Sequence, residues 1–167
     1  MSFCYLLLDP RRTERLRLKE PLSEAQRFRC FLESVFYVGK GKGSRSYQHL
    51  LDAAQLLGAS TSTVEAPSSG VSAKCRLILE LWRQAYGVVS VHCYLNSMPA
   101  EAYTREAAMI DAIGLQNLTN QRRGDYYGAA STWTTGRRRK FGAALLYRAM
   151  SIYSVEDERY LFPKDVL

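Results

Sequence analysis

The residues best suited to chemistry are Arg45 and His49, the cationic loop just before them, and one distant glutamate, Glu106. In "FYVGKGKGSRSYQHL" (36 to 50), three glycines alternate with Lys40 and Lys42 and lead to Arg45. Glycines let a backbone approach a bulky partner, and the cations make that partner an anion. Arg45 and His49 stand one helical turn apart and share a face. That face differs from the apolar one made by Tyr47, Leu50, Leu51, Ala54 and Leu57. Glu106, in "PAEAYTREAAMIDAI", projects on the same side as Tyr103, Ile110 and Ile113, whereas Asp111 turns away. A carboxylate on an apolar face is costly unless a cation meets it. It is therefore either salt-bridged to an arginine or a ligand for a hard divalent ion, which needs only one protein carboxylate when phosphate and water supply the remaining oxygens. His92 lies on an alternating strand and reads as structural. The glycine loop does not supply the Gly-Lys-Ser/Thr of a Walker loop and misses GxGxxG, so no nucleotide cofactor is expected.

These residues need a frame. The chain has 167 residues, 47% of them hydrophobic, which suits one globular domain with a core. Its formal charge of +7 favours a polyanionic partner, although an acidic membrane surface or simple solubility would use the same charge. Cys4, Cys30, Cys75 and Cys93 form no CxxC pair, which indicates reduced, buried thiols and an intracellular location, nuclear or cytoplasmic. No apolar run approaches the length of a membrane span, so no membrane insertion is expected.

"FCYLLL" (3 to 8) reads as a buried strand closed by Asp9-Pro10, and a basic segment follows. Ser23 with Gln26 is a capping box for a helix carrying Phe28, Phe31, Leu32 and Val35. "SVFYVG" returns to strand. Ser44 is the expected cap of the next helix and Gly58 its stop. Residues 59 to 70 read as a Ser/Thr/Pro-rich loop, 72 to 86 as a helix, 88 to 95 as a strand, and Pro99 opens a helix that ends before Gly114. Beyond it, an irregular basic and aromatic stretch runs to residue 142, before a final helix beginning "AALLYRAM". The cluster Arg137, Arg138, Arg139 and Lys140 suits a nuclear import signal, a nucleic-acid contact or a solvated turn.

Tyr5, "YVG" at 37 to 39, Arg45 with His49, Glu106 in "REAAMIDAIG" and Asn120 in "LTNQRRG" resemble, in order, the motifs of the GIY-YIG nuclease superfamily. "CYLLLDP", "FYVGKGKGSRSYQHL" and "LTNQRRG" are most similar to the nuclease domain of the ankyrin-repeat and LEM-domain endonucleases. The first triplet is Phe3-Cys4-Tyr5 rather than Gly-Ile-Tyr, and residues 10 to 33 form an insertion between the two tyrosines.

The resemblance implies an α+β fold: a small, mainly antiparallel three-stranded sheet flanked by helices, with an inserted helix and a C-terminal helical extension. It spans one domain, 1 to 167, with its core at about 3 to 124. It also implies hydrolysis of DNA phosphodiesters to 5'-phosphate and 3'-hydroxyl ends with one divalent ion, Mg2+ or Mn2+, on branched DNA such as flaps and junctions. Glu106 would hold the metal and Arg45 would offset charge on phosphorus. Tyr5 and Tyr37 would line the site, one as general base, with His49 as proton relay, Asn120 orienting neighbouring groups, and Lys40 or Lys42 as the cation that lowers a tyrosine pKa. Lys40, Lys42, Arg122, Arg123 and Arg137 to Lys140 are the expected DNA contacts. A non-catalytic nucleic-acid-binding module and an RNA nuclease remain as alternatives.

Overall fold

The structure is a computed structural model that describes residues 1–59 and 70–167. β1 (Ser2–Leu8) is buried along its whole length, and the reason is its place in the middle of the sheet. It pairs antiparallel with β2 (Val35–Gly41) on one side and β3 (Val88–Ser97) on the other. A two-residue strand, β4 (Tyr160–Leu161), adds to β3 opposite Val88 and Val89. The expected three-stranded sheet thus gains a short fourth strand, too brief to show any alternation in sequence.

Helices cover both faces, so β1 reads as continuous apolar sequence rather than alternating. Cys4, Leu6 and Leu8 point into one core. It is closed by α2 (Glu24–Ser34), α5 (Pro99–Ile113) and α6 (Thr135–Val155). Phe3, Tyr5 and Leu7 point into the other. There they meet α3 (Gln48–Ala59) and α4 (Ala73–Arg83).

Two elements in the insertion tie it to the body. α1 (Pro10–Arg17), read as a basic segment, is a helix: Asp9 caps it by accepting from the Arg11 N–H, Pro10 starts its first turn, and Thr13 and Leu16 are buried. α2 begins at the expected Ser23/Gln26 capping box. Three boundaries differ from expectation. Ser44 sits in a 3-10 turn, Gly43–Tyr47, instead of capping α3, and α3 runs past Gly58 to Ala59. α4 stops at Arg83, with Ala85 in a left-handed conformation at φ 65°. α6 starts eight residues earlier than "AALLYRAM", because Thr134 accepts from the Arg137 N–H and caps a first turn made of Thr135 to Arg138. The loop read at 59 to 70 falls mainly on residues outside those described.

α6 crosses α5 at very close range. A Cβ on Gly142 would lie 1.9 Å from the Ala108 carbonyl oxygen, so only glycine permits the contact. All four cysteines are free and buried. Among the described residues, no helix is long and apolar enough to cross a membrane.

Candidate active site

β2 is an edge strand, and an edge carries unpaired backbone groups that need cover. The segment after α5 supplies it. Thr119 donates both its backbone N–H and its hydroxyl to the Phe36 carbonyl, each at 2.8 Å. Asn120 accepts from the Val38 N–H at 3.0 Å and donates to the Val38 carbonyl at 2.7 Å. Both ends of the Asn120 amide thus bind strand backbone, and the residue pins the segment to β2. The following turn presses on α5: a Cβ on Gly124 would meet the Ala107 Cα at 2.6 Å. Between this turn, the sheet and α3 to α5 opens a cleft of about 640 Å³.

The floor of the cleft is built by a strand pairing. Tyr5 on β1 lies opposite Gly39 on β2, and its ring rests on the glycine backbone. A Cβ at Gly39 would come within 2.4 Å of Tyr5 Cζ and 2.6 Å of its hydroxyl. Gly39→Ala should therefore displace the phenol, with an overpacking cost of about 1–3 kcal/mol visible as a lower melting temperature. Gly136→Ala, where a Cβ meets open space near the start of a helix, should not lower it. An unchanged melting temperature in Gly39→Ala would show that the Tyr5 ring yields freely.

Around Tyr5 the rings of Tyr37 and His49 converge, at centroid distances of 6.0 Å and 6.4 Å. Tyr37 and His49 meet edge to face at 5.0 Å. Burial pushes the pKa of both Tyr5 and Tyr37 above the ordinary tyrosine range; the neighbouring Tyr37 phenol and then Glu106 add to the rise at Tyr5, and Glu106 adds to it at Tyr37. Lys74 lies 4.2 Å from the Tyr37 ring centre and 3.4 Å from His49 Nε2. Burial, and then the Lys74 charge, push the His49 pKa down to about 4 against the opposing pull of Asp52. His49 is consequently neutral at pH 7.

On the opposite wall stands Glu106. Among the described residues no lysine or arginine side chain forms an ion pair with it. Burial raises its pKa to about 7, the Lys40 charge works against the rise, and Asp125 adds to it. The Lys40 ammonium lies 3.7 Å from the Tyr103 ring centre. Thus Lys40 belongs to the Glu106 wall, and the cation over Tyr37 is Lys74 rather than the Lys40 or Lys42 expected from the sequence.

The cleft gathers Tyr5, Tyr37, Lys40, Arg45, His49, Glu106, Asn120, Arg122 and Arg123 from five separate stretches of chain. Lys42 and Arg137 to Lys140 do not line it. Lys42 is exposed before the 3-10 turn, and the basic cluster occupies the start of α6. There Arg137 stacks on Trp133 and Arg138 on Tyr126, at 4.5 Å and 3.9 Å. Sequence reasoning missed Lys74 and Asp125. Lys74 carried the same signal as Glu106, a charge one turn from Ile78 on an apolar stripe.

A profile of the LEM-3-like GIY-YIG domain matches residues 2–167. The chain belongs to the LEM-3-like GIY-YIG family. It is 43% identical over 166 residues to the ankyrin repeat and LEM domain-containing protein 1 of Homo sapiens, covering 99% of this chain and 26% of the relative. The Mus musculus protein of that name is also 43% identical, with 99% of this chain and 30% of the relative covered. The Caenorhabditis elegans homolog is 30% identical over 164 residues, with 96% of this chain and 21% of the relative covered. The chain therefore spans under a third of the length of these relatives. Among solved structures none is a significant match. The α+β fold with its antiparallel sheet is the one expected of a GIY-YIG domain, and membership makes the chain a nuclease domain, with nucleic acid as its substrate.

GIY-YIG nucleases generally use a divalent ion, and the cleft suits one. Glu106 and Asp125 bring two carboxylates to one cationic cleft, and a half-buried carboxylate with a pKa of about 7 gains most from an added positive charge. Among the described residues no cluster of three or more His, Cys, Asp or Glu is disposed around a common point. The donor set therefore fits a hydrated hard ion held through one or two carboxylates, as Mg2+ and Mn2+ are, and not a dedicated cage.

Proposed function

We propose that this domain is a divalent-metal-dependent endonuclease that hydrolyses DNA phosphodiesters to 5'-phosphate and 3'-hydroxyl ends, with a preference for branched DNA. The observation that carries the reading is the convergence of Tyr5, Tyr37, Arg45, His49 and Glu106 on one basic cleft. A divalent ion on Glu106 would supply Lewis-acid charge to the phosphate and offset the carboxylate charge that, after burial, adds to the rise of the Tyr37 pKa. Tyr37, covered by Lys74, is the general base for the attacking water. Neutral His49 stands against Tyr37 and can take the proton onward. Arg45, Arg122 and Arg123 bind the phosphates on either side and offset the charge that develops on the one attacked. A nuclear or cytoplasmic location rests on the four free buried thiols and the basic start of α6.

The test is incubation with Mg2+ or Mn2+ and a panel of duplex, flap, junction and single-stranded DNA and RNA. Cleavage of flaps or junctions faster than duplex, with 5'-phosphate ends, is the expected result. Cutting confined to RNA, or binding without cutting, would overturn it.

The basic cluster is tested separately. It sits at the positive end of the α6 dipole with no acid in the first turn, an arrangement that costs helix stability unless an anion approaches. Replacing Arg137, Arg138, Arg139 and Lys140 by Ala should flatten the log–log salt dependence of DNA binding by roughly one unit per lost phosphate contact. An unchanged slope would remove the cluster from the DNA interface.

A further inference from the structure

Behind the Glu106 wall lies a second concavity, a groove of about 310 Å³ between α5 and the segment that leads into α6. The two concavities share one partition. Tyr103 lines the cleft and Tyr127 lines the groove, and their rings touch at 5.3 Å. Tyr127 is 48% exposed, yet its backbone is fixed, because its N–H donates to Thr104 Oγ1 at 3.1 Å. Next to it Gly128 holds a φ of +66° with no atom within 4 Å of a would-be Cβ, so the groove is open above this turn. Phe141 forms another wall, braced edge-on by Trp133 at 5.3 Å, and Arg137 covers the face of Trp133.

The rim is basic. Arg105 lines the groove, anchored to Ser97 Oγ at 2.7 Å. The one acid, Glu101, is engaged as a helix cap, accepting from the Met98 N–H at 3.1 Å. Aromatic walls, an arginine at the rim and a place one tyrosine pair away from the phosphate cleft are the ingredients of a base-stacking platform. A continuous duplex keeps the faces of its bases covered by their neighbours. Only an unpaired nucleotide offers a bare face.

We propose that this groove takes an unpaired nucleobase of the strand whose phosphate lies in the catalytic cleft, stacked on Tyr127, and that this contact is what favours branched nucleic acid over duplex. The inference rests on the nuclease reading in supposing that a nucleic-acid strand crosses the cleft. Its test is arranged so that the two can fail apart.

The probe is a set of DNA flaps, each carrying 2-aminopurine at one unpaired position beside the branch, bound by the full chain without divalent metal. Fluorescence should be quenched at one of these positions, by the parent and by Tyr127→Phe, which keeps the ring, and not by Tyr127→Ala. With metal, the flap-to-duplex rate ratio should fall five- to hundredfold in Tyr127→Ala, through loss on the flap with the duplex rate unchanged. Because Tyr127 is exposed, these variants should fold, and their melting curves check it. Tyr127-dependent quenching by a chain that cuts nothing in Mg2+ or Mn2+ would uphold the base site while the nuclease reading fails. Absence of quenching, or quenching that survives Tyr127→Ala, would overturn the base site and leave the groove to a protein segment, whatever the cleavage panel shows.

Discussion

Glu106→Gln should give a chain that no longer cuts DNA in Mg2+ yet melts at a higher temperature than the parent above pH 7. Both effects come from one carboxylate. Its pKa is about 7 in the folded chain, above the ordinary carboxylate value near 4.5, because burial disfavours the charge, so folding favours the protonated form. The penalty for ionising it is absent below the unfolded value, grows as pH rises from about 4.5 to 7, and is full above that. At about 1.4 kcal/mol per pKa unit, the neutral amide should recover roughly 3 kcal/mol at pH 8, worth several degrees of melting temperature in a domain of this size. At pH 4.5 the two proteins should melt together. DNA affinity should stay within a few-fold, because lysine and arginine contacts to phosphate dominate binding. Thermal melting without metal across pH 4.5 to 8, beside single-turnover cleavage, reads both. A variant that cuts at the parent rate, or melts lower at every pH, would show that Glu106 is a packing residue.

Tyr37→Phe should slow single-turnover cleavage by about 100- to 10,000-fold and erase the rising limb of the rate–pH profile. Tyr5→Phe should also be slow, since it removes a hydroxyl from the floor of the cleft, but its profile should keep the limb at a lower level. The size of the loss cannot separate the two roles, whereas the shape can. Tyr5 is the more deeply buried, and burial drives its pKa well above the ordinary range, so it is the poorer base. If Tyr5→Phe loses the limb and Tyr37→Phe keeps it, the roles are reversed. If both keep it, the proton passes to His49, Lys74 or a metal-activated water.

Much of the site was legible because its residues break local rules. Glu106 is an acid on an apolar helix face, and "YVG" places a glycine where a neighbouring strand must lay a ring. The Ser23 and Pro99 helix starts were equally plain, since capping chemistry is local. What escaped depends on packing. Lys74 reaches His49 only because α4 folds onto α3. α1 hid among arginines, although Asp9 and Pro10 announced it. The start of α6 hid for the same reason: four basic residues erase the apolar stripe, leaving Thr134 as its one local signal. β4 is too short to have a pattern at all.

The crossing at Gly142 bears on how genetic variation in this chain should be weighed. α6 carries none of the motif residues, yet it fills the core with Leu145, Leu146, Ala149 and Met150 and grips α5 two residues from Glu106. A premature stop after residue 125, or a missense change at Gly142, would leave every motif side chain encoded and still unseat the helix that aims the carboxylate. Such alleles should therefore behave as loss of function, and a survey restricted to the motif positions would score them as silent.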